Sequence, residues 1–148
     1  MSIPPEISRD TTLHVRDECL CLHARRAARA LARHFDVAFK PLGLTNGQFS
    51  LMMSLNRPEP ARMAGVAAFL AMDRTTLTAA LKPLARRGLV DVMVDARDRR
   101  SRRLALTAEG RALLARAVPI WQRGHAELDR LLPDGHPDRL RSDLKALS

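Results

Sequence analysis

The sequence predicts a mainly α-helical (α+β) protein with one small β-hairpin between its fourth and fifth helices. Apolar residues recur every three or four positions over most of the chain, which is the period of an amphipathic helix. The period changes to two only between Leu89 and Leu106, on either side of the stretch DARDRRSRR. The chain has 148 residues, of which 46% are hydrophobic and 28% charged, as expected for a folded domain. We therefore predict four helices, two strands and two helices in one compact domain.

The first predicted helix follows an N-terminal segment of about 12 residues in which Pro4 and Pro5 disfavour helix. It is predicted to run without a break to about Lys40, where Pro41 and Gly43 end it. An apolar stripe at helical spacing follows one face of this helix and consists of Leu20, Ala24, Ala27, Ala28, Leu31 and Phe35.

The second helix has a strong start signal in LGLTNGQF. Thr45 and Gln48 have the spacing of a capping box, and Leu44 and Phe49 have that of a hydrophobic staple. The helix is predicted from Asn46 to about Asn56, where RPEP ends it. The alanine-rich ARMAGVAAFLAM then predicts a short third helix.

The fourth helix is predicted to begin after Asp73, a favoured N-cap residue, and to end at Gly88. Its inward positions are Leu77, Leu81 and Leu84. The hairpin strands follow, with Val90, Val92 and Val94 on one face of the first strand and Leu104 and Leu106 on the second. Thr107 then caps a long helix that Pro119 is expected to bend, and a short helix from about Asp138 to Leu147 closes the chain.

The positive charge of the chain is concentrated in its centre. Residues 61–106 carry ten Lys or Arg against four acids, whereas residues 1–60 carry eight against six and residues 107–148 seven against six. Such a local excess predicts a basic surface that faces a polyanion, most simply nucleic-acid phosphate. Tyrosine is absent and only five residues are Phe or Trp, so base stacking of the kind used by single-strand binders is not expected.

Two short helices followed by a two-stranded basic hairpin are the parts of a winged helix-turn-helix. In that arrangement the second helix enters the major groove of duplex DNA with its N-terminal residues nearest the bases. The candidate contact residues on that helix are Arg74, Thr75, Thr76 and Thr78. Their hydroxyl and guanidinium groups can contact phosphate, guanine edges or thymine methyl groups. An ordinary amphipathic helix with a polar outer face is the alternative interpretation.

The hairpin tip is the candidate wing. Arg97, Arg99 and Arg100 suit insertion into a minor groove, where a narrow A-tract concentrates negative potential. Asp95 and Asp98 would add nothing to a purely electrostatic tag, but in a folded turn a carboxylate can cap amides or orient a neighbouring arginine. We therefore predict a structured wing oriented by these two aspartates.

These segments resemble the MarR-type transcriptional regulators. DARDRRSRRLALTAEG is similar to their wing signature, roughly D-P-x-D-R-R-x-x-x-L-x-L-T-x-x-G, and LGLTNGQFSLM and MDRTTLTAALKPLARRGLV are similar to their second and recognition helices. The chain departs from the pattern at Ala96, where proline is usual, and at Pro83, which removes one hydrogen bond from the recognition helix and could bend it.

The resemblance implies a homodimeric transcriptional repressor that is released from DNA by a small effector. Residues 1–44 and 107–148 would supply the dimerisation helices, and residues 45–106 the DNA-binding region. The expected partner is a pseudo-palindromic duplex site with half-sites about 10 bp apart. The family binds small aromatic or phenolic ligands between its dimerisation and DNA-binding regions. Trp121 is expected in the dimer core in preference to such a pocket.

A second interpretation concerns ECLCLHARRAARA, which resembles the hydroperoxide-sensing branch of the same family. By that resemblance Cys21 would sense oxidants, with Arg25 in place of the tyrosines that stabilise the thiolate in that branch. Cys19 and Cys21 would point about 200° apart on one helix, so a disulfide between subunits is the alternative to one within the chain. Packing at the dimer interface is the competing role for both thiols. Cys19 and His23 share a helix face but are too few for a metal site, so no metal is expected.

No enzyme or cofactor motif is found: the sequence has no Walker loop, dinucleotide fingerprint, G-x-S-x-G elbow or H-E-x-x-H. We therefore expect no catalysis and no cofactor. The chain also lacks an apolar stretch long enough to span a membrane and a signal-peptide pattern, which predicts a cytoplasmic protein with reduced thiols. From a different functional class, a helical adaptor that binds an acidic protein partner is the alternative.

Overall fold

The computed structural model describes residues 6–148 and is mainly helical with a small antiparallel sheet. This agrees with the predicted fold class. The helices and strands occur in the order α1 Arg9–Glu18, α2 Leu20–Phe39, α3 Asn46–Ser54, β1 Ala61–Arg62, α4 Met63–Phe69, α5 Arg74–Arg86, β2 Val90–Val94, β3 Arg102–Leu106, α6 Ala108–Asp129 and α7 His136–Ala146, with a 3₁₀ turn at Lys40–Leu42. None of the helices within residues 6–148 is long and apolar enough to cross a membrane.

The N-terminal helix differs from the prediction in two respects. It begins at Arg9, because the Ser8 hydroxyl accepts the Thr11 N–H at 3.2 Å and caps it. The predicted single helix is also broken at Cys19, whose backbone is extended. The carbonyl of Asp17 accepts a hydrogen bond from Nε2 of His23 at 2.8 Å, which supplies a partner at the point where the helical ladder stops. Pro4 and Pro5 lie outside the described residues.

Three predicted helix starts are confirmed by their caps. Thr45 and Gln48 form both bonds of the capping box of α3, at 3.1 and 3.0 Å. The Asp73 carboxylate accepts the Thr76 N–H at 2.7 Å at the start of α5. Thr107 accepts the Gly110 N–H at 3.0 Å at the start of α6. Side-chain oxygens thus satisfy amides that have no partner within the first helical turn.

The sheet has three strands in the order β1-β3-β2. Strand β1 was not predicted, because two residues are too few to show a strand periodicity in the sequence. Val90 pairs with Leu106 and Val92 with Leu104, so these side chains share one face of the hairpin. Val90 is buried, but Val92 and Val94 are exposed because the hairpin extends beyond the helices that cover its base.

The core connects helices α2 to α6 and the sheet. Phe35 and Phe39 of α2 stack on each other, and Phe39 also stacks on Phe49 of α3, with ring centroids 5.8 and 4.8 Å apart. Leu77, Leu81 and Leu84 form the buried face of α5, as predicted. Helices α5 and α6 each continue through their internal prolines. This core therefore fixes the outer face of α5 relative to the hairpin.

Candidate nucleic-acid interface

The outer face of α5 begins at the helix N-terminus. All four residues predicted to contact DNA on this helix are exposed there: Arg74, Thr75, Thr76 and Thr78. The structure distinguishes between them. The Thr76 hydroxyl donates to the Asp73 carboxylate at 2.9 Å, and the Thr78 hydroxyl donates to the Arg74 carbonyl at 2.8 Å. The Thr75 hydroxyl makes no hydrogen bond within residues 6–148 and is the one free to donate.

The cap of this helix is charged. The N–H of Thr76, followed by the Thr76 hydroxyl, holds the pKa of Asp73 below its ordinary value. The carboxylate is therefore ionised at neutral pH and lies at the positive end of the helix dipole. A fixed negative charge at this point offsets part of the positive potential of Arg74.

The hairpin tip is a folded turn. The Asp95 carboxylate accepts the Arg97 N–H at 2.8 Å, and the Asp98 carboxylate accepts the Arg100 N–H at 3.0 Å and a bond from the Ser101 hydroxyl at 3.1 Å. Ser101 in turn donates its N–H to the Asp98 carbonyl at 2.9 Å. Both aspartates thus bind backbone amides of the tip, as a structured wing requires.

The arginines of the wing fall into two groups. The guanidinium groups of Arg97, Arg99 and Arg100 make no hydrogen bond or ion pair within the described part of the chain, and all three side chains are exposed. Arg103, which was not predicted as a site residue, donates from Nε to Asp95 at 2.7 Å and from Nη1 to the Pro60 carbonyl at 3.3 Å. Both aspartates therefore hold the wing backbone, and Asp95 also orients the side chain of Arg103.

Asp95 is the buried charged residue of this region, with 5% of its surface exposed. The N–H of Arg97 lowers its pKa most, and the Arg103 guanidinium lowers it further. The carboxylate is thus ionised at neutral pH, and both of its oxygens accept hydrogen bonds. Asp95 and Arg103 are eight residues apart in the sequence, and this spacing does not by itself predict an ion pair.

Two more arginines connect elements: Arg74, which was predicted as a DNA contact but not as a link to the wing, and Arg87, which was not predicted as a site residue. Arg74 donates from Nη2 to the Arg100 carbonyl at 3.2 Å, so the recognition helix and the wing tip are directly joined. Arg87 donates to the carbonyls of Gly43 and Leu42, at 2.6 and 3.3 Å, and joins the end of α5 to the turn after α2. The residues joined by these bonds are 26 to 45 positions apart in the sequence, so the bonds depend on the tertiary fold and cannot be predicted from local spacing.

The two cysteines lie at the start of α2. Cys21 is exposed and Cys19 is partly buried. The prediction that both lie on one continuous helix is wrong, because Cys19 occupies the break between α1 and α2. The angular argument against a bond between them therefore does not apply. Residues 6–148 contain no group of three or more His, Cys, Asp or Glu side chains arranged to hold a metal ion.

Comparison with known proteins identifies the family. The model of the MarR family matches residues 44–101. The DNA complex of the Mycobacterium tuberculosis transcriptional regulator MosR is 43% identical, with a TM-score of 0.80 over 88% of this chain and 93% of that one. The transcriptional repressor CouR bound to a 23-mer DNA duplex is 30% identical, with a TM-score of 0.81 over 97% of this chain and 99% of that one.

Two further comparisons bear on regulation. CouR from Rhodococcus jostii RHA1 bound to p-coumaroyl-CoA is 25% identical, with a TM-score of 0.76 over 88% of this chain and 92% of that one. The transcriptional activatory protein BadR of Rhodopseudomonas palustris is 38% identical over 72 residues, which are 47% of this chain and only 41% of that protein. The identity to MosR and CouR over nearly their whole lengths, together with the family match across the helix-turn-helix and wing, shows that the chain belongs to the MarR family of DNA-binding transcriptional regulators.

Proposed function

We propose that the chain acts as a homodimeric repressor that binds a pseudo-palindromic duplex through α5 and the wing and leaves it when a small effector binds. The observation that carries the DNA-binding part is the bond between Arg74 and the Arg100 carbonyl, which sets the recognition helix and the wing side by side. Two connected elements of this kind can occupy adjacent grooves of one duplex.

The contacts are divided between the grooves. Arg74, Thr75, Thr76 and Thr78 contact the major groove, and Thr75, with its free hydroxyl, is the strongest candidate for direct base contact. Arg97, Arg99 and Arg100 enter the minor groove, where unpaired guanidinium groups meet the highest negative potential. Asp95 and Asp98 keep the wing backbone in the conformation that presents these arginines.

The dimer uses residues 1–44 and 107–148, and residues 45–106 bind DNA. Helices α1 and α7 bury no residue within the single chain. Large apolar side chains are nevertheless exposed on α1, at the start of α2, on α7 and at its C-cap, namely Val15, Leu20, Leu22, Leu140, Leu144 and Leu147. Short helices depend on tertiary packing for their stability, so a second copy that covers these faces accounts for both observations.

Footprinting on the DNA upstream of its own gene tests DNA binding, and a salt series tests the contact mode. Six or more phosphate contacts per dimer should lower the affinity by about 10³ or more between 50 and 200 mM salt. A flat salt response, or no protected site, would contradict the proposal. An adaptor for an acidic protein would protect no specific site.

The effector site is a cleft of about 690 Å³ between α3, α4 and α6. Phe49, Met53, Phe69 and Trp121 line it, and Arg57 is the one charged residue among those that do. Trp121, which was expected in the dimer core, thus lies on the wall of this cleft. An apolar cleft with one cation suits an aromatic effector that carries an anionic group. The cleft is bounded by α3 and α4 of the DNA-binding region and by α6, so a ligand there can change the position of that region relative to α6.

Trp121 is the only tryptophan of the chain and reports binding directly. Benzoate should quench its fluorescence in a saturable way and release DNA, whereas benzyl alcohol, which lacks the charge, should bind at least tenfold more weakly. Arg57→Gln should remove this preference without changing DNA affinity in the absence of ligand. Equal binding of the two compounds by the unsubstituted protein would contradict the proposed effector class.

The repressor role is proposed from the similarity to CouR, a repressor that aligns with this chain over 99% of its length. The similarity to BadR, an activatory protein, covers 41% of that protein and makes activation the alternative. Mapping the protected site against the promoter decides between the two. A site that overlaps the start of transcription supports repression, and a site wholly upstream of the promoter supports activation.

A second candidate is oxidant sensing by Cys21. The observation that favours it is the exposure of Cys21 two residues after the helix break at Cys19. A hydroperoxide would oxidise the Cys21 thiolate to a sulfenate and leave as an alcohol, and a second thiol would then displace the sulfenate oxygen as water and form a disulfide. Titration with peroxide should release DNA from the unsubstituted protein and not from Cys21→Ser. Equal release from both proteins would remove this candidate.

A further inference from the structure

A small cleft separates the recognition helix from the wing. It has a volume of about 360 Å³ and lies between α4, the first turn of α5 and the start of β3. Three of its seven lining residues are arginines, Arg62, Arg74 and Arg102, and none is acidic. Neither Arg62 nor Arg102 belongs to the proposed contacts of α5 and the wing tip with DNA.

The charges of these arginines are not neutralised by the protein. None of the three has a carboxylate within salt-bridge distance among residues 6–148. Arg74 and Arg102 each donate to carbonyls of the wing tip, at 3.2 Å to Arg100 and 3.1 Å to Arg99. Each guanidinium has five N–H donors, so these bonds leave most of them unused. Arg62 is exposed and its side chain makes no hydrogen bond within the described residues.

The strand pattern explains how Arg102 comes to this position. Side chains alternate along β3, so Arg102 lies on the same face of the hairpin as Leu104 and Leu106, which pack into the core beneath the helices. Arg102 is therefore directed towards the helices and contributes to the cleft wall together with Arg74. The result is a cationic recess between the two elements that enter the DNA.

Duplex geometry determines what passes through this recess. A major groove and its neighbouring minor groove are separated by one sugar–phosphate backbone. If α5 occupies the first groove and the wing the second, that backbone must run between them. We propose that the cleft lined by Arg62, Arg74 and Arg102 binds one backbone phosphate of duplex DNA per protomer. The proposal rests on the proposed function, since it assigns the phosphate contact that fixes the two base-contacting elements on one duplex.

Arg62→Ala is the test, because this side chain makes no bond that a substitution would break and does not cap α4. Binding is measured by fluorescence anisotropy over a salt series, with a duplex from the protein's own upstream region and with a random duplex of equal length. The variant should bind both duplexes about tenfold or more weakly at 0.1 M salt. The slope of log K against log salt should become less negative by about 1.8 per dimer, or about 0.9 per lost phosphate contact.

Two control variants separate this role from others. Arg62→Lys keeps the charge and should keep most of the slope. Arg116→Ala removes an equal charge from an exposed position on α6 and should leave the slope unchanged. An unchanged slope in Arg62→Ala, or an equal loss in Arg116→Ala, would overturn the inference. After either of these results, a steep salt dependence in the unsubstituted protein would still support the proposed function. A flat salt dependence in the unsubstituted protein would refute the proposed function itself.

Discussion

The Asp95 carboxylate and the Arg103 guanidinium form an ion pair of 2.7 Å at the base of the wing. Each partner makes a second contact: Asp95 accepts the N–H of Arg97, and Arg103 donates to the Pro60 carbonyl in the loop before β1. The pair therefore connects the end of β2, the start of the tip and the loop that leads into α4. This carboxylate thus helps to orient the wing relative to the helices, together with the bond from Arg74 to the Arg100 carbonyl.

Asp95→Asn should weaken DNA binding even though it raises the net positive charge. The asparagine keeps one acceptor oxygen but loses the charge that holds Arg103, so the wing arginines are less well positioned. We expect roughly tenfold weaker binding to the protein's own upstream DNA, measured by anisotropy at fixed salt. Asp91→Asn is the matched control, because Asp91 lies on the same hairpin, is exposed and makes no side-chain hydrogen bond within the described residues. If both variants bind more tightly, only net charge matters.

Asp95 should also make stability depend on pH in acid. Its pKa in the folded protein lies below the ordinary value of 3.8, so its contribution is fully present above that value and is lost as pH falls through the lower folded value. The difference in free energy of unfolding between the unsubstituted protein and Asp95→Asn should be constant between about pH 7 and 5 and shrink below about pH 4. Urea unfolding at several pH values measures it. A difference that grows towards low pH would refute the assigned role.

Asp98→Ala tests the tip of the wing separately from its base. Asp98 binds the Arg100 N–H and the Ser101 hydroxyl, and both bonds are lost with the carboxylate. A looser tip loses more entropy on entering the minor groove, so we expect several-fold weaker binding and a faster dissociation rate, measured by surface plasmon resonance. Asp91→Ala is again the control for charge. Tighter binding by Asp98→Ala would show that the tip acts only through its net charge.

Local signals predicted most of the fold because they act within one helical turn or one hairpin. The capping box at Thr45, the Asp73 cap and the period-two face of Val90 each involve neighbours in sequence. The break at Cys19 and the strand β1 were missed for the opposite reason. The first is accompanied by a bond from His23 to the Asp17 carbonyl, and the second exists only because β3 lies beside it.

The sequence predicted which types of residue lie at the candidate site, but not which of them contact each other. The exposed polar residues at the start of α5 and the basic residues of the hairpin tip could be predicted from their residue types and their positions in the chain. The partner of Asp95 could not be inferred, since five arginines of the tip are within reach of it in the sequence. The bond from Arg74 to the wing is longer-ranged still. Strand alternation alone is enough to place Arg102 on the same face of the hairpin as Leu104.

The turn between α4 and α5 contains a strained residue. Ala71 has a φ of +52°, and the N–H groups of Ala71 and Met72 bond back to the carbonyls of Ala68 and Ala67 at 3.2 and 2.9 Å. Gly88 has the same role after α5, with a φ of +69°. The left-handed conformation costs alanine about 1–2 kcal/mol, and glycine at this position would not have this cost. The greater conformational freedom of glycine in the unfolded chain would offset about 0.4–1 kcal/mol of that gain in stability.

Ala71→Gly should therefore stabilise the protein by about 0.5–1 kcal/mol in urea unfolding. The reverse exchange, Gly88→Ala, should destabilise it by a similar amount because it introduces the same strain. DNA affinity should change little in Ala71→Gly, since the backbone conformation is kept. A loss of stability in Ala71→Gly would mean that the alanine methyl group contributes packing that outweighs the strain.

The junction between the wing and α6 depends on Gly110. A Cβ atom at this position would lie 2.1 Å from the Leu89 carbonyl oxygen, which accepts the Thr107 N–H at 3.1 Å. Backbone cannot yield as a flexible side chain can, so Gly110→Ala must separate α6 from the end of α5 and the start of β2. We expect a loss of about 2 kcal/mol or more in urea unfolding. Gly47→Ala is the control, because nothing lies within 4 Å of its added Cβ atom in α3 and alanine favours helix by up to about 1 kcal/mol. If both exchanges stabilise the protein, α6 can shift without cost, and the hairpin is not held by this close contact.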